Sequence, residues 1–307
     1  MIPVFDGCDG DEYARKAITG LTSYMRHNDW VEPYIFSNVD LRWVEKYGIN
    51  FINVNDVVGY DITKAFAPKD NWPSQHFWRL VLPRYFYEQG YKYSIAVDAG
   101  DTFCVRSFET PMSIDRYIAT PIGKRARSGV GYDFKTCANG LGNRLYGDKF
   151  KTILNGNEIN IGDLPGVHTG VMLFNNAFIA EWEQIFKDEF AEISKTETVA
   201  HAQALINALS MKYYPMLEPD MYLDDKFHFR FLKAVKNPEL LRLKDPYIYI
   251  CHWTGRQPPW IRQVNSDRVP KKQRHLYELR KKYALMWREL YREIFGKEIE
   301  IHESEGK

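Results

Sequence analysis

The first hundred residues alternate short apolar runs with amphipathic stretches, and this order restricts the fold more than any other feature of the chain. Ile2–Phe5 reads as a strand. Asp11–Arg26 reads as a helix, because Tyr13, Ala17, Ile18, Leu21 and Met25 recur near the 3.6-residue period. Tyr34–Phe36 and Asn50–Val54 are the next strands, with a helix near Leu41–Tyr47 between them. Ser74–Gln89 reads as helical, with Pro83 a kink or break. Lys92–Val97 is a strand that runs straight into acidic residues. Parallel strands joined through helices need crossovers of one hand, which places helices on both faces of a mostly parallel sheet. The expected fold class is therefore α/β.

Residues 121–166 break the alternation. Gly129-Val130-Gly131 and Gly140-Leu141-Gly142 sit among Asn, Lys and Arg. The segment reads as a long irregular insertion, with a short helix around Arg144–Leu154, and as a candidate lid. A strand is expected again at Val167–Phe174, then helices at Ala177–Ile193 and Val199–Met211, and a last strand at Tyr247–Cys251. The chain then divides: a domain over 1–260 and a helical extension over 261–307. Pro270–Phe295 reads as one amphipathic helix, with Leu276, Leu279, Tyr283, Met286, Trp287, Leu290 and Ile294 along one face.

Net charge is only +1, which argues against a strongly basic polyanion binder and against an acidic disordered chain. The neutrality hides an asymmetry: residues 261–307 carry 12 Lys/Arg against 8 Asp/Glu. Cys8, Cys104, Cys137 and Cys251 are scattered without metal spacing, as expected of thiols in a reducing compartment. No signal peptide or membrane-length apolar run is visible, so the expected location is cytoplasmic. The inner membrane face and a phage-infected cell are both consistent with it.

Two segments carry chemistry. Val97-Asp98-Ala99-Gly100-Asp101 ends a strand in two carboxylates separated by two small residues. Ligands of open α/β sheets bind at the carboxyl ends of the strands, so Asp98 and Asp101 can share a hard divalent cation there. The plain alternative is a solvated turn. Cys251-His252-Trp253-Thr254-Gly255-Arg256-Gln257-Pro258-Pro259-Trp260 ends a strand in a histidine. Its imidazole can complete the cation site, and a mixed oxygen–nitrogen set suits Mn²⁺, with Mg²⁺ the other candidate. Gly255 allows close approach by a ligand and Arg256 can pair with a phosphate.

Together these segments resemble the GT-A glycosyltransferases, especially glycosyltransferase family 8. The late family motif, His-x-x-Gly-x-x-Lys-Pro-Trp, is matched by His252, Gly255, Pro259 and Trp260, with Pro258 at the lysine position. The family's Asp-x-Asp is here Asp98-Ala99-Gly100-Asp101, a spacing that resembles the glycosyltransferase domains of collagen-modifying lysyl hydroxylases. Four weaker segments follow the family order. Val4-Phe5 with Asp9, Asp11 and Tyr13 resembles the first-strand nucleoside motif. Arg79-Leu80-Val81-Leu82-Pro83 resembles the helix whose arginine reaches the donor. His168-Thr169-Gly170-Val171-Met172-Leu173 resembles Asn-x-Gly-Val-x-Leu, with histidine for asparagine. Ala202-Gln203-Ala204-Leu205-Ile206-Asn207 resembles Asp-Gln-x-x-x-Asn, with Ala202 for aspartate.

The resemblance implies a Rossmann-like GT-A sheet and a metal-dependent retaining transfer from a nucleotide-sugar, a UDP-sugar first, to an acceptor hydroxyl. It implies metal ligands Asp98, Asp101 and His252, and donor contacts from Asp9, Asp11, Tyr13, Arg79, His168, Gly255 and Arg256. Gln203 would face the reacting sugar carbon, where its amide carbonyl steadies positive charge. Trp253 and Trp260 would lie around the donor. A glycan or glycolipid is the implied acceptor. The C-terminal helix either packs on its own domain or lies on an anionic membrane surface. Its cations, with Lys124, Arg125 and Arg127, also suit a second acceptor class, a hydroxymethylated DNA base in a viral genome. A nucleotide-sugar-binding module without turnover is the non-enzymatic alternative.

Overall fold

The computed structural model describes residues 1–57, 78–79, 81–109, 117–121, 151–154, 157–160, 167–177, 180, 229–231, 247–253, 258–262 and 270–302. Its main sheet is built from β1 (Ile2–Gly7), β2 (Val31–Ser37), β3 (Asn50–Asn53), β4 (Tyr93–Val97), β6 (Tyr117–Pro121) and β9 (Val167–Asn175), in the order β3-β2-β1-β4-β9-β6. The first four strands run parallel, from Tyr34 beside Asn50 to Phe5 beside Ala96. β9 runs antiparallel to both β4 and β6. Strand order reverses between β1 and β4, so a crevice opens at their carboxyl ends. Every residue of β1 is buried, as expected of a parallel strand covered on both faces.

Helix α1 (Asp11–His27) covers one face through Ala14, Ala17, Ile18, Leu21 and Tyr24. Asp11 and Glu12 open it and Arg26 and His27 close it, each sign at the end the helix dipole favours. Helix α2 (Leu82–Glu88) begins with Pro83 in its first turn, where no amide hydrogen is needed. Proline thus starts this helix instead of kinking a longer one. Arg42–Tyr47 is a 3-10 helix closed by Gly48 in the left-handed region.

A second sheet follows the order β10-β11-β5, from Phe229–Arg230, Ile250–His252 and Thr102–Cys104. β5 has no counterpart among the sequence expectations, because three residues are too few to show a period. Within the 121–166 insertion, β7 (Lys151–Leu154) pairs antiparallel with β8 (Asn157–Asn160). That corrects the helix expected to reach Leu154. The intervening Asn155-Gly156 is a hairpin signal in the sequence. The remainder of the expected lid lies outside the described residues.

Helix α3 (Arg274–Phe295) packs its apolar stripe on this second sheet. Leu276, Tyr283, Trp287, Leu290 and Tyr291 join Phe103, Phe229, Phe231, Ile248 and Trp253 in one core. Past the helix, the chain returns: Ile261 bridges His302 in parallel fashion. Among the described residues, no helix is long and apolar enough to cross a membrane.

Candidate metal and donor site

The site is assembled at the reversal point of the main sheet. β4 delivers Asp98, and a tight turn carries the chain into β5. Asp101 and Thr102 both donate their amide hydrogens to the Asp98 carbonyl, at 3.2 and 2.8 Å. β11 pairs with β5 so that His252 lies opposite Thr102. The Trp253 amide then donates to the Asp101 carbonyl at 3.0 Å. Backbone pairing alone therefore brings residue 252 beside residue 101.

Asp98, Asp101 and His252 each offer a ligand atom, and all three atoms lie within 4.8 Å of one another. His252 Nε2 is 3.1 Å from Asp101 Oδ1 and 3.7 Å from Asp98 Oδ2. The imidazole is buried, while the two carboxylates remain 22% and 26% exposed and face the crevice. Two carboxylates and one imidazole are a donor set that fits a divalent cation, and their partial exposure leaves coordination positions for a substrate.

Asp98 is held from behind. Arg79, 5% exposed, donates from Nη2 to Asp98 Oδ1 at 2.7 Å and from Nη1 to the Thr169 carbonyl. Burial disfavours the guanidinium charge, and the neighbouring Asp98 and Asp6 more than restore it. Arg79 thus reaches Asp98 and β9. Burial also pushes the Asp101 carboxyl up, against the opposing pull of His252.

β9 comes very close to the cluster. The Asp98 amide donates to the Gly170 carbonyl at 2.9 Å. A Cβ on Gly170 would sit 2.4 Å from His252 Cε1 and 2.9 Å from Asp98 Oδ2, so any larger residue must displace these two side chains. Gly100 has the same spatial reason: a Cβ there would meet the Tyr13 ring at 2.7 Å. Its absence of a side chain serves Tyr13 and not a left-handed turn, since its φ is not positive. His168 lies half-buried with its ring edge-on to His252, centroids 5.3 Å apart. Its Nδ1 accepts the Gly170 amide hydrogen at 3.0 Å, which leaves Nε2 as the protonated nitrogen.

The acid that joins this neighbourhood from β1 is Asp6, which the sequence reading passed over. Its Oδ1 accepts from the Gly7 amide at 2.8 Å, and its Oδ2 from the Ala99 amide at 2.7 Å and the Tyr13 hydroxyl at 3.1 Å. Burial and the charge of Asp98 push its carboxyl up to about 8. The switch-point rule itself identifies the first acid after Val4-Phe5, and that signal would have found it. Asp9 is exposed, and Asp11, also exposed, accepts the Trp43 indole hydrogen at 2.8 Å. The structure does not bring either carboxylate into the Asp98–Asp101–His252 group.

Trp253 is buried between Phe103 and Phe231 and belongs to the second core. Trp260 is held between Lys16, whose Nζ lies 4.4 Å from the ring centre, and Trp287 at 5.6 Å. Trp253 is therefore taken up by the protein's own core, while Trp260 remains partly exposed. Gln203, Gly255, Arg256, Lys124, Arg125 and Arg127 lie outside the described residues.

No protein-family profile matches the sequence, and no characterised protein matches it by sequence. Solved structures do match. Galactosyltransferase LgtC, solved in complex with donor and acceptor sugar analogues, superposes with a TM-score of 0.54 at 16% identity, over 91% of this chain and 96% of LgtC. An active-site mutant of LgtC gives 0.53 at 16% identity, over 92% and 96%. Glycosyltransferase GlyE of Streptococcus pneumoniae TIGR4 gives 0.50 at 18% identity, over 100% of this chain and 66% of GlyE. At such identities the likeness establishes the fold: a GT-A-like, mostly parallel sheet flanked by helices, with a C-terminal helix.

Proposed function

We propose that this GT-A-fold chain is a glycosyltransferase that moves a sugar from a nucleotide-sugar, a UDP-sugar first, to a hydroxyl of a glycan or glycolipid. The observation that carries the reading is the meeting of Asp98, Asp101 and His252 at the reversal point of the sheet, where this fold has its ligand crevice. Mn²⁺ is the cation that the mixed donor set suits best, with Mg²⁺ second. When bound, it would offset negative charge growing on the leaving diphosphate.

The chain's own residues divide the remaining work. Arg79 holds Asp98 by a partly buried ion pair and keeps its other oxygen toward His252. Tyr13 and Asp6 line the floor beneath the Asp98–Asp101 turn. His168 presents a protonated Nε2 beside His252 and is assigned a contact to the donor's polar groups. Gly255 and Arg256 are assigned to the diphosphate and Gln203 to the reacting sugar carbon, on their motif positions. The transfer is assigned retention of configuration, which the family 8 resemblance favours.

A panel of sugar nucleotides tests this reading. One of them should raise the melting temperature only with Mn²⁺ present, and mass spectrometry of glycan and glycolipid pools should then find the glycosylated product. Asp98→Ala should abolish both transfer and donor hydrolysis. Stabilisation without turnover would favour the binding module, and Mn²⁺-independent behaviour across the whole panel would sink the proposal.

A further inference from the structure

We infer that Asp6 and Tyr13 form a positioning pair that fixes the Asp98-Ala99-Gly100-Asp101 turn in the geometry a divalent cation requires. The inference rests on the reading that Asp98, Asp101 and His252 hold that cation.

Two carboxylates can serve one ion only if the backbone between them is fixed. Each spacer residue adds two soft dihedrals, so two spacer residues leave twice the freedom of one. The ends of this turn are already tied. The Asp98 amide is held by Gly170, and the Asp98 carbonyl accepts from Asp101 and Thr102. The middle is not part of that set, and this is where the pair acts. Asp6 Oδ2 takes the Ala99 amide hydrogen at 2.7 Å, and the Tyr13 ring fills the space against Gly100. Each spacer residue is thus held by one member of the pair.

The pair is itself rigid. Asp6 is 5% exposed, lies within a strand paired with β4 at Phe5 and Ala96, and ties Oδ1 to the Gly7 amide. Tyr13 rises from the first turn of α1 and donates to the same Oδ2 that holds Ala99. Asp6 is not among the three groups placed to ligate. It stands one layer behind them, where loss of a supporting hydrogen bond typically costs about 10- to 100-fold in metal affinity.

Calorimetric titration with Mn²⁺ alone, on the full chain at a temperature where circular dichroism shows every variant folded, tests the pair. Asp101→Asn should abolish or greatly weaken binding relative to wild type. Asp6→Ala and Tyr13→Ala should each weaken it about 10- to 100-fold, and Tyr13→Phe, which keeps the ring against Gly100, should weaken it less. Asp6→Asn, which retains an acceptor for Ala99, should recover part of the loss. Tyr13→Phe should add little on the Asp6→Asn background, because both act through one oxygen. If Asp6→Ala does not fold, Tyr13→Ala still decides, since it removes the ring against Gly100 and leaves Asp6 in place. Wild-type affinity in the Asp6 and Tyr13 variants, with Asp101→Asn impaired, would overturn the pair and leave the cation reading intact. No Mn²⁺ binding by wild type, or unimpaired binding by Asp101→Asn, would overturn the cation reading and the pair with it.

Discussion

Gly170→Ala isolates the close approach of β9 to the ligand cluster. The added Cβ would lie 2.4 Å from His252 Cε1, 2.8 Å from Nδ1 and 2.9 Å from Asp98 Oδ2, against about 3.4 Å for an ordinary contact. The imidazole must therefore retreat by about 1 Å and the carboxylate by about half that. Both are side-chain ends, so the backbone can stay in place. Overpacking of this kind costs roughly 1–3 kcal/mol of stability, which a 307-residue chain is expected to survive. Metal sites are less tolerant, with ligand distances held to about 0.2 Å. Gly170→Ala should therefore keep a native circular dichroism spectrum, melt several degrees lower, and bind Mn²⁺ at least about tenfold more weakly. Turnover should fall with the affinity. Wild-type Mn²⁺ affinity and activity in a folded Gly170→Ala protein would refute the assignment of the cation to this cluster.

Three further outcomes follow from the same contacts. Gly20→Ala should fail where Gly170→Ala survives, because its Cβ would lie 1.9 Å from the Ala99 carbonyl oxygen. Alanine gains about 1 kcal/mol of helix propensity there, yet the clash is with backbone, and soluble yield and melting temperature should both fall sharply. Trp287→Ala should cost about 3–5 kcal/mol in urea unfolding, since its ring is fully buried between Trp260 and Tyr291. Finally, the Asp6 carboxyl sits near 8 in the folded protein against 3.8 when free. Between those values the native state holds a proton that the unfolded chain has released, so stability is full at low pH and is lost as pH rises toward 8. Melting curves in EDTA from pH 5 to 9 should show this decline in wild type and a shallower one in Asp6→Asn.

The ends of strands were more legible in the sequence than the chemistry behind them. Val97-Asp98 and Cys251-His252 each show an apolar run stopping at a polar ligand-type residue, a local pattern readable without coordinates. What joins them is the antiparallel pairing of β11 with β5. A three-residue strand such as Thr102–Cys104 has too little periodicity to be seen beforehand. Asp6 was less visible in the sequence than its neighbours Asp9 and Asp11. Motif spacing drew attention to them, while the sheet register places Asp6 beside the end of β4. Gly100 appeared in the sequence only as a small spacer, and the Tyr13 ring that occupies its empty side comes from a helix some ninety residues away in sequence. Long-range contacts of that kind leave no local trace.

The C-terminal segment shows why an amphipathic pattern alone does not name its partner. The apolar stripe of α3 is buried against β5, β10 and β11, so it is the chain's own second core that uses Tyr283, Trp287 and Tyr291. The same core contains Trp253, the neighbour of His252. Arg288 extends the connection on the polar flank: Nε donates to the Pro259 carbonyl at 2.7 Å and Nη2 to the Ile261 carbonyl at 3.0 Å. The Trp260 carbonyl accepts from the His302 amide, and the Arg262 amide donates back to the His302 carbonyl. The segment that begins at His252 is therefore gripped at its far end by Arg288 of α3 and by His302 beyond the helix. Any partner of α3 must use the face that carries Lys281, Lys282 and Leu285, because the aromatic face is already filled.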